Sequence, residues 1–280
     1  MQKLYGHCMI VGVLLGHCSY FTYANCTKWE NKCEKCQEKD NYPKSLIDNS
    51  KKNYELKKQL FTEIKKLTIV TPSEWLANLV KKSFLKEYEI KVINNGIDLN
   101  VFKSAYDENI YEKYNIPRNK KIILGVASVW EKRKGLDDFI KLSNIIDENY
   151  TIVLVGISKE QQKKLPEKIV AIKRTENMEE LANIYSQANV FVNPTYEDNF
   201  PTTNLEAMAC GTPVITYNTG GCKEAVNNKT GVVIKVGDID SIKKNLEKID
   251  NMDKIDCIER AKEYEDFEKY KHYIRLYNEI

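Results

Sequence analysis

The sequence lacks a strong excess of either charge, although 30% of its 280 residues are charged. Its 43 basic and 40 acidic side chains leave a net charge of +3, which argues against a dedicated nucleic-acid-binding protein. It also lacks internal repeats and low-complexity tracts. The apolar fraction of 42% is typical of a globular chain that is long enough for one large domain or two small ones.

A long apolar run is missing as well. The apolar run near the N-terminus, residues 9–15, is too short to span a bilayer. Thr22, Tyr23 and Ala24 loosely match a signal-cleavage site, so an exported protein stays open as an alternative. The pattern of the rest of the chain favours a cytoplasmic protein.

The eight cysteines do not have the distribution of a disulfide framework in a small secreted scaffold. Four of them are candidate ligands for a soft metal ion: Cys18, Cys26, Cys33 and Cys36. Cys33 and Cys36 form a C-x-x-C pair, and four thiolates would complete a tetrahedron around Zn²⁺, with His17 as a reserve ligand. The spacing of the first two cysteines is loose, so structural zinc and free thiols both remain open.

From Lys121 onward, short apolar strands alternate with amphipathic helices. The predicted strands are 122–127, 151–155, 169–172, 190–193 and 214–216. One predicted helix follows a cap at Thr175 or Asn177, and another runs from about Thr202 to a stop at Gly211. This alternation predicts a doubly wound α/β sheet, in which ligands bind at the carboxyl ends of the strands.

The chain before residue 97 is less regular. Helices are predicted at 42–66 and 74–84, and strands at 68–70 and 91–93. Two strands cannot cover two helices, so we expect only part of a sheet domain, with an exposed apolar face at Tyr54, Phe61 and Ile64. The predicted domains are 1–96 and 97–256, with a closing helix at 257–280.

The segment with the clearest chemical meaning runs from residue 193 to 215. A predicted strand ends at Asn193, an acidic loop containing Asp198 follows, and Glu206 lies early in the next helix. A carboxylate near a helix N-terminus stays ionised and can accept hydrogen bonds from two adjacent hydroxyls, such as those of a ribose. A capping role is the alternative for Glu206.

This segment resembles the E-x7-E region of retaining glycosyltransferases of family four, which have the GT-B fold. The resemblance implies that Glu206 binds the nucleotide ribose and that Asp198, a shorter acid than the family's first glutamate, lies beside the transferred sugar. The segment 94–98, Asn-Asn-Gly-Ile-Asp, resembles the family's crossing between two domains.

Lys134 and Gly135 resemble the phosphate-binding loop of the same family. A lysine at a helix N-terminus, with Arg133 beside it, would stabilise a leaving nucleoside diphosphate without a catalytic metal. A solvated basic turn is the alternative for this loop.

Two other loops resemble binding loops of the family. Gly220, Gly221 and Glu224 match its Gly-Gly-x-x-Glu loop, in which paired glycines let backbone amides approach a sugar or phosphate. Arg174 and Thr175 lie at a strand end where relatives contact the nucleotide base.

The resemblance extends forward to about Gly16 in bacterial capsule and exopolysaccharide glycosyltransferases of the colanic-acid type. Those relatives carry a His-Asp pair where this sequence has Met9 and Ile10. They also have further strands upstream of that pair. The resemblance therefore implies an N-terminal domain whose front is missing, and a transferase with weak or no turnover.

Together these resemblances imply an α/β, GT-B-like enzyme with a complete C-terminal Rossmann-like donor domain and a partial N-terminal one. It is expected to transfer a sugar from a UDP- or GDP-sugar to a glycan or lipid-linked acceptor, with retention, in bacterial surface polysaccharide biosynthesis. We expect a cytoplasmic protein. The Lys-rich segment 51–66 is an amphipathic helix for which two roles stay open: contact with anionic lipid at the inner face of the membrane, or a solvated basic face, which is favoured because the apolar side of the helix is needed for packing. The alternatives are a non-catalytic remnant that binds nucleotide sugar and a GT-B nucleotide-sugar epimerase.

Overall fold

The computed structural model describes residues 4–7, 11–41 and 43–279. The chain divides into two compact units, each built on its own parallel sheet. The first unit contains Met1–Asn94 and Lys269–Ile280, and the second contains Asn95–Glu268. The passage from the first unit to the second therefore lies in the Asn-Asn-Gly-Ile-Asp segment.

The first unit has a three-stranded sheet in the order β1-β2-β3. Its strands are β1 (Leu4–His7), β2 (Leu67–Thr71) and β3 (Glu89–Val92), and its first two helices are α1 (Ser50–Thr62) and α2 (Glu74–Val80). The strand β1 is absent from the sequence prediction because four residues of mixed polarity give no clear period. The helix α1 is shorter than predicted, since Asp48 accepts a hydrogen bond from the Ser50 backbone N–H and a turn precedes the helix.

The core of the first unit lies between this sheet, its helices and the segment 11–36. Tyr54 of α1 is only 3% exposed and packs in a cluster with Leu14 and Trp29, while Phe61 and Ile64 are partly buried against that cluster. The expectation of an exposed apolar face at Tyr54, Phe61 and Ile64 is therefore wrong. The segment 11–36 covers this face, which a pattern of helices and strands does not reveal.

The second unit has a six-stranded parallel sheet in the order β6-β5-β4-β7-β8-β9. Its strands are β4 (Lys121–Val126), β5 (Tyr150–Val155), β6 (Ile169–Ile172), β7 (Val190–Asn193), β8 (Val214–Tyr217) and β9 (Gly231–Ile234). All five strands predicted in this part of the chain are present. The short edge strand β9 was not predicted.

Helices cover both faces of the six-stranded sheet. They are α3 (Asn109–Lys113), α4 (Leu136–Ile145), α5 (Lys159–Gln162), α6 (Met178–Gln187), α7 (Thr202–Ala209), α8 (Ile239–Asp250) and α9 (Lys254–Lys262). Alternate residues of β4 face opposite clusters: Leu124 packs with Tyr185 of α6, and Ile123 packs with Phe139 of α4. This double coverage explains why the strands are apolar throughout. Asn177, one of two predicted caps, accepts a hydrogen bond from the Glu180 backbone N–H and caps α6.

The single closing helix predicted at 257–280 is instead two helices, α9 and α10 (Asp266–Asn278). The break forms because the chain pairs with Ile97: its N–H donates to the Tyr264 oxygen at 2.8 Å, and its oxygen accepts from Asp266 at 3.1 Å. This long-range pairing ends α9. Across the described ranges, no helix combines the length and apolar character needed to cross a membrane.

Candidate functional site

A pocket of about 560 Å³ lies in the second unit, where the central strands end. Val126 of β4, Val155 of β5 and Asn193 of β7 line it at their carboxyl ends. The chain proceeds from β4 outward to β6 and then returns to β7 on the other side of β4, so the strand order reverses here. Open α/β sheets bind their ligands at such a switch point.

The loop after β4 brings Lys134 to the pocket wall. A short 3₁₀ turn, Lys132–Lys134, ends at Gly135, whose φ of 78° is left-handed. A Cβ at Gly135 would lie 2.3 Å from the backbone oxygen of Pro194, so a side chain does not fit here. Because α4 begins at the next residue, Lys134 lies at the N-terminal end of a helix, as predicted.

Lys134 and Asp198 meet on the pocket wall. The Lys134 Nζ donates a hydrogen bond to Asp198 Oδ2 at 2.7 Å, and their side chains are 24% and 21% exposed. The family resemblance implies that Lys134 contacts a diphosphate and that Asp198 contacts a sugar. The structure places both side chains in one pocket. Without a ligand, each neutralises the other.

Arg133 makes its contacts within the loops rather than on the pocket wall. Its Nη1 donates to the backbone oxygen of Glu197 at 3.4 Å, and its Nε lies 3.3 Å from Glu131 Oε2. Its own backbone oxygen accepts from Tyr196 N–H at 2.7 Å. Arg133 therefore joins the loop after β4 to the loop after β7, and its predicted contact with a diphosphate stays a prediction.

Glu206 lines the same pocket from α7, and its carboxylate is held at both oxygens. The Tyr185 hydroxyl donates to Oε2 at 2.9 Å, and the Thr202 hydroxyl donates to Oε1 at 3.2 Å. Burial raises the pKa of Glu206, while these two hydrogen bonds lower it. Neither Tyr185 nor Thr202 was predicted as a site residue, although Thr202 is four residues before Glu206 on one helix face.

The glycine loop supports Asp198. The Gly221 N–H donates to the Asp198 backbone oxygen at 3.0 Å, and a Cβ at Gly220 would lie 1.9 Å from that same oxygen. Gly220, Gly221 and Glu224 are not among the residues that line the pocket of 560 Å³. In this structure the Gly221 amide is hydrogen-bonded to Asp198, and the predicted contact of Gly220, Gly221 and Glu224 with the nucleotide sugar stays a prediction.

Arg174 and Thr175, which follow β6, both line the pocket on the side of β5. Their predicted contact with a nucleotide base stays a prediction. The pocket wall also includes Lys173, Ser128 and Asn95, none of which was predicted as a site residue. The Asn95 side chain donates to the Phe200 backbone oxygen at 3.1 Å and so joins the loop after β7.

A separate small cavity of about 30 Å³ in the first unit is lined by His17 and the four predicted zinc ligands, Cys18, Cys26, Cys33 and Cys36. Burial raises the pKa of Cys18 to about 12, with smaller contributions from the other three cysteines, which favours the neutral thiol at this position. The His17 Nε2 is buried without a hydrogen-bond partner. Among the described residues, no group of three or more His, Cys, Asp or Glu side chains is arranged to hold a metal ion.

The zinc site therefore stays a prediction. Met9 and Ile10, which stand where relatives carry a His-Asp pair, lie outside the described residues.

A doubly wound parallel sheet with a charged pocket at its switch point defines the class of α/β proteins that bind their ligands at the carboxyl ends of the strands. The family of glycosyl transferases group 1 matches residues 107–271. This match covers more than half of the chain, and the chain belongs to that family.

Curated relatives are bacterial glycosyltransferases. The capsular polysaccharide biosynthesis glycosyltransferase CapM of Staphylococcus aureus is 31% identical over 202 residues, which cover 65% of this chain and 52% of CapM. The N,N'-diacetylbacillosaminyl-diphospho-undecaprenol alpha-1,3-N-acetylgalactosaminyltransferase of Campylobacter jejuni is 26% identical over 161 residues, 54% of this chain and 42% of that enzyme. The chain thus spans about half the length of the curated relatives it matches.

Solved structures share the fold. Sucrose-phosphate synthase from Thermosynechococcus elongatus superposes with a TM-score of 0.69 at 21% identity, over 80% of this chain and 61% of that one. HepE of Anabaena, solved in complex with UDP-glucose, gives a TM-score of 0.68 at 15% identity, over 82% and 68%. These likenesses confirm the predicted α/β, GT-B-like fold class.

Proposed function

We propose that this protein transfers a sugar from a UDP- or GDP-sugar to a glycan or lipid-linked acceptor, with retention, in bacterial surface polysaccharide biosynthesis. One observation carries the proposal. A single pocket at the switch point of the sheet holds a lysine and two carboxylates, Lys134, Asp198 and Glu206. These three groups match the three polar parts of a nucleotide sugar, namely diphosphate, sugar hydroxyls and ribose hydroxyls.

In this proposal Lys134 stabilises the leaving diphosphate. Negative charge develops on the diphosphate as the bond to the sugar breaks, and a positioned cation lowers the energy of that state. Lys134 lies at the start of α4, where the helix dipole adds to its charge. The reaction then proceeds without a catalytic metal.

Glu206 is the proposed partner of the ribose, and Asp198 that of the transferred sugar. A carboxylate oxygen accepts more than one hydrogen bond, so Glu206 keeps acceptor capacity beside its bonds to Tyr185 and Thr202. Asp198 becomes available to a sugar hydroxyl when Lys134 turns to the diphosphate. Arg174 and Thr175 would face the base at the far end of the same pocket.

The names of two relatives support a lipid-linked acceptor. The Campylobacter jejuni enzyme and a galactosyltransferase of Escherichia coli are both named for diphosphoundecaprenol-linked substrates. We infer that this protein is cytoplasmic and works at the inner face of the membrane, which it contacts through exposed Lys51, Lys52 and Lys58 near the exposed Leu56 of α1. Lys57 is excluded from this surface because it donates to the backbone oxygens of Gly12 and Leu15.

Vesicle co-sedimentation tests the membrane contact. The protein is expected to sediment with vesicles containing anionic lipid at low salt and to be released at high salt. Replacing Lys51, Lys52 and Lys58 by glutamine should abolish sedimentation, whereas Lys81→Gln and Lys82→Gln, which change exposed lysines outside α1, should not. No sedimentation of the unchanged protein at low salt would contradict the contact.

The transfer function is tested in two stages. A panel of UDP- and GDP-sugars is first screened by thermal shift, where the matched donor raises the melting temperature. That donor is then incubated with diphosphoundecaprenol-linked and oligosaccharide acceptors, and NMR identifies the anomer of the product. A bound donor without product would favour the non-catalytic alternative, and no bound donor would contradict the proposal.

A further inference from the structure

Tyr185 is completely buried, yet its hydroxyl contacts a residue of the pocket wall. The side chain has 0% exposure, and its ring makes edge-to-face contacts with Phe102 at 6.3 Å and Phe191 at 5.4 Å between ring centroids. Its hydroxyl donates to Glu206 Oε2 at 2.9 Å. Three rings of the core therefore fix the direction from which Glu206 receives this hydrogen bond.

We propose that Tyr185 is a positioning residue that makes Glu206 selective for a ribose bearing both hydroxyls. This inference rests on the proposed function and deepens it. Tyr185 holds one oxygen of the carboxylate and Thr202 holds the other, so rotation of the carboxylate plane would break both hydrogen bonds. Each oxygen then presents its remaining acceptor capacity in a fixed direction, which matches two adjacent hydroxyl donors and not one.

Tyr185 also preserves the charge that Glu206 needs. Burial raises the pKa of Glu206, which favours the protonated acid, and the hydrogen bond from Tyr185 opposes this shift. Burial raises the pKa of Tyr185 well above 10, and the neighbouring Glu206 charge adds to the effect. The tyrosine hydroxyl therefore remains a donor throughout the neutral range.

The decisive variant is Tyr185→Phe, which removes the hydroxyl and keeps the ring. Calorimetry with UDP and GDP identifies the nucleotide that the unchanged protein prefers, and the 2′-deoxy form of that nucleotide is then compared. We expect Tyr185→Phe to weaken binding of the ribose form by about tenfold, as for loss of a hydrogen bond to a charged group. Binding of the 2′-deoxy form should change less, so the preference for ribose shrinks.

A second readout separates positioning from stability. Without the Tyr185 hydrogen bond the pKa of Glu206 rises further. With uridine or guanosine as the probe, which carries no titrating phosphate, the loss of affinity on acidification should therefore begin at a higher pH than in the unchanged protein. Thr202→Val removes the donor to the other oxygen from a partly exposed position, and it should shift both readouts in the same direction. If Tyr185→Phe does not fold, Thr202→Val still allows both measurements.

Tyr217→Phe is the matched control. Tyr217 is 1% exposed, and its hydroxyl donates to Asp138 Oδ2 at 2.8 Å, but neither residue lines the pocket. This variant should lower stability and leave both the ribose preference and the pH profile unchanged.

The outcomes are distinct. If Tyr185→Phe and Thr202→Val retain the affinity, ribose preference and pH profile of the unchanged protein, the inference is wrong and the proposed function stands. If the unchanged protein binds neither UDP nor GDP, the proposed function is contradicted and the inference is overturned with it.

Discussion

Lys134 Nζ lies 2.7 Å from Asp198 Oδ2 in the pocket of the second unit. In the proposed function, an incoming diphosphate would compete with Asp198 for Lys134. If Lys134 turned to the diphosphate, Asp198 would be released to accept a hydrogen bond from the sugar. The ion pair would then couple the two proposed contacts, since neither would form fully while the pair is intact.

Asp198→Asn should separate the proposed diphosphate contact of Lys134 from the proposed sugar contact of Asp198. Removing the competing charge is expected to raise the affinity for UDP about fivefold, which corresponds to roughly 1 kcal/mol for a partly exposed ion pair. Transfer should fall, because the sugar loses its carboxylate partner. Calorimetry with UDP and a transfer assay measure the two effects. The control is Asp137→Asn, which makes the same change in charge at an exposed acid early in α4 and should leave the UDP affinity nearly constant. If Asp198→Asn binds UDP more weakly than the unchanged protein, Asp198 does not compete with the diphosphate for Lys134.

The affinity for a nucleoside should depend on the charge of Glu206. Burial raises the pKa of this carboxyl above its ordinary value of 4.5. In the proposed ribose contact the ionised form of Glu206 would accept the hydrogen bonds, so affinity should be constant near neutral pH and fall as the pH drops through the raised pKa. Uridine or guanosine is the suitable probe, since a diphosphate itself titrates near pH 6.

Glu206→Gln supplies the comparison for this pH profile. It should bind the nucleoside about tenfold more weakly near neutral pH and lose the acid-side slope. Identical slopes for Glu206→Gln and the unchanged protein would remove Glu206 from ribose recognition.

Gly135→Ala should be more destabilising than its backbone angle alone predicts. Gly135 and Gly237 have nearly the same φ, 78° and 77°, but their surroundings differ. A Cβ at Gly135 would lie 2.3 Å from the Pro194 oxygen, whereas at Gly237 the nearest atom, the Tyr196 hydroxyl, is 3.9 Å away. Urea unfolding should show a loss of about 1 kcal/mol for Gly237→Ala and about 3 kcal/mol for Gly135→Ala. Equal losses would show that the loop after β7 moves aside.

Zinc in the cysteine cavity is tested by metal analysis. If Cys18, Cys26, Cys33 and Cys36 hold the ion, protein prepared without chelator should contain about one zinc per chain. Cys33→Ser should lose the metal, while Cys210→Ser, which changes a buried cysteine outside the cavity, should keep it. If the purified protein contains no metal, the zinc prediction is wrong and the four cysteines are free thiols.

Most of the second unit could be predicted from the sequence because its signals are local. The strands β6 and β7 have the predicted bounds, since each is a short apolar run at the end of a helix-strand unit. The break between α9 and α10 could not be predicted, because it depends on backbone pairing with Ile97, which is distant in the sequence. The strand β1 was missed because its four residues carry no period.

In the candidate site, too, only the local features could be predicted. Lys134, Asp198 and Glu206 were predicted from motifs of consecutive residues, and they line one pocket. The contact between Tyr185 and Glu206 joins two helices across 21 positions, and no sequence spacing indicates it. The use of the Gly221 amide by Asp198 was also hidden, because a glycine pair shows only that the backbone comes close to another group.

The most direct test of the account compares Lys134→Ala with Lys132→Ala, a change of an exposed lysine in the same 3₁₀ turn. Calorimetry measures the binding of the preferred nucleoside diphosphate and of the corresponding nucleoside to each variant. The account predicts that Lys134→Ala weakens diphosphate binding by at least tenfold with little change for the nucleoside, and that Lys132→Ala changes neither. Equal losses for both ligands in Lys134→Ala, or unchanged diphosphate binding, would contradict the assignment of this pocket to a nucleotide sugar.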